Sequence, residues 1–175
     1  MLPSLQQAHH HPPEGSPFQL HNIIHVQAFA STSDYNDNEK EEFYDQLQIV
    51  IDQTLKKDIL VVQGDWNAKV GRDACENWQS ICGSFCNDDT NERGLRLLEF
   101  ASFNDLVLAN IFGHHKTSTR WTWHSPNGQH HYQIDYILVR KCYQLGVNSA
   151  RTQSFAGADI GSDLDLLDKI HKTQV

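Results

Sequence analysis

Ile59-Leu60-Val61-Val62-Gln63-Gly64-Asp65-Trp66-Asn67 is the stretch that decides the fold. Its first four residues are apolar and three of them are β-branched, the pattern of a strand buried on both faces. Such a strand belongs in a layered α/β domain, where helices cover the sheet. Two polar side chains, Asp65 and Asn67, follow the apolar run at once. Residues two apart in extended backbone share a face. In α/β enzymes, reactive groups collect at the C-terminal ends of strands. A carboxylate there can orient or deprotonate a water. A neighbouring amide can hold that water or a phosphate oxygen without adding negative charge. The same residues, helped by Gly64, can also simply shape a turn.

Upstream, Ile23, Ile24, Val26, Ala28 and Phe29 predict a strand over about 22–30. A helix is expected over about 39–56, with Phe43, Leu47, Val50, Ile51 and Leu55 as one apolar stripe. Asp37 or Asn38 can cap it, and Lys56-Lys57 can close it. Residues 1–17, rich in His, Pro and Gln, read as a disordered tail, His9-His10-His11 included. Order is expected from Phe18, the domain to run over 18–167, and 168–175 to be a polar tail.

Downstream, 71–91 reads as a long polar loop and about 92–103 as a helix, with Leu95, Leu98 and Ala101 on one side and Leu97 beside them. Strands are expected at Leu106–Asn110, at about 119–124 and at Tyr132–Val139, with a turn at Ser125-Pro126-Asn127-Gly128. Asp135 lies inside the last of these. Asp is disfavoured in strands and a buried charge needs a partner, so an inward Asp135 points to a functional hydrogen bond, often to a His. Trp121-Thr122-Trp123-His124 can pack in the core or stack on bases. His114-His115 and His130-His131 read as poor ligand pairs, because adjacent side chains diverge on a strand. Asp159, Asp163, Asp165 and Asp168 crowd the C-terminal segment, either as hard-cation ligands or as a solvated acidic face.

The 175 residues suit one domain. Fourteen Lys and Arg against twenty-two Asp and Glu give a net charge of −8, which excludes a generically basic binder of nucleic acid. An enzyme acting on phosphates stays open, because carboxylates around a divalent cation give such sites their acidity. Cys75, Cys82, Cys86 and Cys142 are too few and too unevenly spaced for a disulfide framework or a zinc knuckle, so free thiols are expected. No targeting segment or long apolar run is read, which favours an intracellular, non-membrane protein.

Taken together, Gly64-Asp65-Trp66-Asn67-Ala68, Trp121-Thr122-Trp123, Ile134-Asp135-Tyr136 and Gly161-Ser162-Asp163 resemble the endonuclease/exonuclease/phosphatase superfamily. The resemblance is strongest to the apurinic-type endonucleases of RTE (BovB-like) retrotransposons and covers about 18–167. It implies the C-terminal part of a four-layered α/β/β/α sandwich, DNase I-like, with the first strands missing. It also implies cleavage of DNA phosphodiesters with Mg²⁺ or Mn²⁺. Asp65 would then activate the attacking water, and Asn67 would hold the water and the phosphate. Asp135 would orient the catalytic His, Asp163 would sit on the metal side, and Trp123 would contact substrate.

Three departures accompany the resemblance. Leu164 stands where the family has the His of Ser-Asp-His, and His171 does not replace it by register. Phe29 stands where a phosphate-contacting Tyr would fall, and Ser31 where the family has Pro. The strands carrying the metal-ligating Glu are not found in the 175 residues. A weak or inactive copy is therefore expected. The alternative is a non-catalytic scaffold that binds a protein partner at an exposed sheet edge.

Overall fold

The computed structural model describes residues 5–8, 22–30, 37–83, 86, 89–112 and 120–146. The decisive stretch forms strand β3 (Ile59–Asp65) at the centre of a mixed sheet. Around it the chain orders as β1 (Leu5–Ala8), β2 (Ile23–Phe29), α1 (Asp37–Asp52), β3, α2 (Arg72–Cys75), α3 (Glu92–Phe103), β4 (Leu106–Leu108), β5 (Trp123–His124), β6 (His131–Tyr132) and β7 (Asp135–Arg140). The five-stranded sheet has the order β1-β2-β3-β7-β4, while β5 and β6 form a separate two-stranded ribbon. β2 and β3 run parallel and the other neighbours antiparallel. A parallel pair cannot be joined by a tight hairpin, and α1 supplies the crossover between β2 and β3.

The two faces of β3 enter different clusters. Leu60 and Val62 join Val26, Leu108 and Leu138 under Leu47 and Ile51 of α1 and Leu97, Leu98 and Ala101 of α3. Val61 packs on the other face with Val107, Ile137 and Val139. Burial on both faces is why the run is continuously apolar rather than alternating. Each such Leu or Val contributes about 1.5–3 kcal/mol relative to its exposed state.

Several boundaries differ from the sequence expectation. α1 starts at Asp37, so neither Asp37 nor Asn38 precedes the helix as a cap. It ends at Asp52, where the Thr54 hydroxyl donates to the Ile51 carbonyl at 2.7 Å. Leu55 therefore leaves the stripe and is exposed, and Tyr44 takes a buried place instead. α3 matches its expected span, capped by the Asn91 side chain accepting from Gly94 N–H. Its buried side is Gly94, Leu97, Leu98, Phe100 and Ala101, while Leu95 is exposed. Bidentate contact of Arg96 with Glu41, at 2.7 and 3.0 Å, ties α3 to α1.

Within the expected tail, Leu5–Ala8 forms β1 on the outer edge of β2. Extended backbone there satisfies the ladder groups that β2 would otherwise leave open. The expected polar loop contains α2 and buries Cys75, Ile81, Cys82 and Cys86 against the helical face. All four cysteines are free thiols. Cys75 Sγ and Cys86 Sγ lie 2.6 Å apart. The hydrogen bond with Cys82 is the main cause that pushes the Cys75 thiol up to about 12, and burial adds to it.

Candidate functional site at the strand ends

The last residue of β2, the last of β3 and the first of β7 stand in one row. Phe29 pairs with Asp65 in the parallel register, and Asp65 pairs with Asp135 in the antiparallel one. Trp66 N–H donates to the Ile134 carbonyl at 2.9 Å, so the hydrogen bond flanks the Asp65–Asp135 pair rather than joining it. That makes the two aspartates a non-hydrogen-bonded pair, the narrower kind, in which Cα atoms approach to about 4.5 Å and side chains lie closest. Two carboxylates placed this way repel unless their surroundings compensate. Asp135 is 2% exposed, and Asp65 is partly exposed.

Gly64 makes this row possible. Its φ is +149°, and a Cβ built there would lie 1.8 Å from the Ala28 carbonyl oxygen. Only glycine lets β2 and β3 come together at that point. Beyond the strand, Asn67 adopts φ +47°, a left-handed conformation that Asn tolerates better than most residues. The turn is closed by Asn67 N–H donating to Asp65 Oδ1 at 2.8 Å and Asn67 Nδ2 donating to the Ala30 carbonyl at 2.7 Å. Ala30 N–H returns to the Asp65 carbonyl at 2.8 Å. One of the two Asn67 amide donors thus serves the scaffold.

Asp135 opens β7 rather than lying within it, because β7 begins there and Gln133-Ile134 separates it from β6. Two buried side chains missed by the sequence reading place it. Thr122 Oγ1 accepts both Ile134 N–H and Asp135 N–H, at 3.1 and 3.2 Å. Asn110 Nδ2 donates to the Asp135 carbonyl at 3.1 Å, and Asn110 Oδ1 accepts Ile137 N–H at 3.0 Å. Both stand in apolar or aromatic runs, and that contrast is the only signal the sequence offered.

Among the described residues of the expected strand at 119–124, only Trp123–His124 forms a strand. Trp123, read as a substrate contact, stacks on Tyr132 with ring centroids 5.6 Å apart and planes 11° apart. Lys69 Nζ lies 4.0 Å from the centre of that Tyr132 ring, a cation held over a π face. Asp163 and Leu164 lie outside the described residues. Asp65, Asn67, Asp135 and Phe29 are brought together; Trp123 stands on the adjoining ribbon.

A divalent cation needs a shared set of oxygen ligands. Among the described residues no three His, Cys, Asp or Glu side chains converge on one point. Asp65 Oδ1 is engaged by Asn67 N–H. The described residues do not fit a resident Mg²⁺ or Mn²⁺ seat.

The chain is 40% identical over 154 residues to craniofacial development protein 2 of Tragulus javanicus and of Bos taurus. These residues are 88% of this chain and 25% of each relative, so the chain spans about a quarter of the proteins it matches. No family model matches it. Among solved structures, the endonuclease domain of TRAS1, a telomere-specific non-LTR retrotransposon, superposes with TM-score 0.54 and 16% identity, over 82% of this chain and 55% of that one. The fold is DNase I-like. The 3'-5' exonuclease (NExo) from Neisseria meningitidis agrees, at TM-score 0.53 and 16% identity over 74% of this chain and 53% of that one. This DNase I-like chain is thus a mixed α/β domain aligned with part of a nuclease-like fold. Among the described residues no helix is long and apolar enough to cross a membrane.

Proposed function

We propose that this chain is a retrotransposon-derived nuclease domain that keeps the water-holding end of a phosphodiesterase site and has lost most of its hydrolytic power. One juxtaposition supports this reading: Asp65 and Asp135 face each other at the strand ends, beside a turn that fixes Asn67. Asp65 is the group that orients a water, and Asn67 the group that steadies a phosphate oxygen. Asp135 is the group that would orient a His, but Leu164 follows Asp163 in this sequence. Leucine can neither donate, accept nor carry charge. Losing one acid–base or transition-state donor slows hydrolysis by about 10²–10⁴-fold. DNA is the substrate class, with Mg²⁺ or Mn²⁺ supplying charge to the phosphate in intact members of the superfamily.

Nicking of supercoiled plasmid tests this. With Mg²⁺ or Mn²⁺ added, the chain nicks weakly or not at all, and Asp65→Ala removes whatever remains. Robust metal-dependent nicking sensitive to Asp65→Ala would overturn the loss of activity. Nicking indifferent to Asp65→Ala would overturn the site.

A second reading is favoured by Phe29, which is 54% exposed beside Asp65. An aromatic ring in place of a phosphate-contacting hydroxyl suits a non-catalytic module that docks an apolar protein surface. Phe29→Ser would then abolish binding of that apolar partner, and binding unchanged in Phe29→Ser would overturn this reading.

A further inference from the structure

The ribbon β5–β6 brings together two imidazoles that the sequence keeps apart. His124 and His131 are register partners. Ser125 N–H donates to the His130 carbonyl at 2.9 Å, so the hydrogen bond flanks this pair too. His124 and His131 therefore form the narrow, non-hydrogen-bonded type, with side chains closest. Their Nδ1 atoms lie 2.5 Å apart on an exposed face. Trp121 stacks on His131 with centroids 4.7 Å apart and planes 24° apart, which fixes that ring. His130 points to the opposite face and stacks with Tyr132.

We propose that His124 and His131 form a two-imidazole seat for a borderline transition cation such as Ni²⁺ or Zn²⁺. Two neutral imidazoles this close must place a proton between the Nδ1 atoms, or else their lone pairs oppose each other. A cation accepts both lone pairs at once. Metal–nitrogen bonds of about 2.0–2.1 Å at a tetrahedral angle require nitrogens about 3.3 Å apart. The pair has to open by under about 1 Å, within reach of a side-chain rotation of exposed His124. Imidazole is the ligand that Zn²⁺ and Ni²⁺ prefer over the hard cations of phosphate chemistry, so the seat is chemically distinct from the Asp65–Asp135 row. Among the described residues no third His, Cys, Asp or Glu joins it. Occupancy would clasp β5 to β6 at the end remote from Thr122, which holds Asp135.

The test uses the full chain with His9, His10 and His11 replaced by Ser, so that the His-rich tail cannot compete. Ni²⁺ is titrated while amide and indole resonances are followed by nuclear magnetic resonance, because the paramagnetic ion broadens signals near it. The expected result is one saturable site that broadens Trp121, His124 and His131. His124→Asn and His131→Asn each weaken it by more than about tenfold while the spectrum stays folded. If His131→Asn disturbs the ribbon, His124→Asn, at an exposed position, carries the test alone. Broadening centred elsewhere, affinity unchanged in His124→Asn, or no binding once the tail is replaced would each overturn the proposal.

Discussion

At Gly64 the backbone runs at φ +149° with the Ala28 carbonyl where a side chain would begin. Gly64→Ala therefore costs at least about 3 kcal/mol in urea unfolding, from strain and collision combined. A loss below about 1 kcal/mol would show that β2 and β3 are not in this register. Asp65 and Asp135 are a like-charged pair in the narrow geometry. Asp65→Asn and Asp135→Asn are accordingly coupled by about 0.5–3 kcal/mol in a double-mutant cycle. The coupling has the sign of a repulsion: whatever either change does alone, it is less favourable once the other has been made. Additivity within about 0.3 kcal/mol would contradict the juxtaposition. Both Asp residues were visible in the sequence, since each interrupts or ends an apolar run. Thr122 and Asn110 were not, because a hydroxyl or amide inside such a run shows its bonding partners only once the strands pair.

Among the elements, β3 and α3 were the most legible. β3 is apolar without interruption, and α3 carries a clear period with an Asn cap. The period left the exact arc open by one position, which is why Leu95 and Leu55 were assigned to the core and are exposed. Leu98→Ala costs about 2–5 kcal/mol and Leu95→Ala no more than about 1 kcal/mol, as chemical denaturation will show. Equal losses would mean that α3 is rotated. The 71–91 segment was read from its polar residues, whereas the few apolar ones decide its path. Cys75, Cys82 and Cys86 are buried there and Cys142 is exposed. One thiol equivalent reacts with a mild aromatic disulfide under native conditions, and all four react in denaturant. Because the folded Cys75 holds its proton above the thiol's ordinary value of 9.0, its contribution to stability is complete below about pH 9. It falls as pH rises toward about 12.

For the whole molecule, two of the motifs that carry the resemblance, Gly64-Asp65-Trp66-Asn67-Ala68 and Ile134-Asp135-Tyr136, meet on paired strands of one sheet, and two solved nucleases share its fold. Sequence order could not show which strands are neighbours. β7 lies between β3 and β4, and only that insertion sets Asp135 across from Asp65. The ribbon's strands and turn were expected, but its register was hidden for a related reason, since it follows from the turn rather than from any apolar pattern. The claim on which both the site and its proposed chemistry stand is this register. It is read most directly from the cross-strand Hα–Hα nuclear Overhauser effect between Asp65 and Asp135. A narrow antiparallel pair brings these protons into close contact, so a strong effect is predicted. If Asp65 Hα instead contacts Hα of Ile134 or Tyr136, the strands are shifted by one residue, the aspartates face opposite sides, and the site described here does not exist.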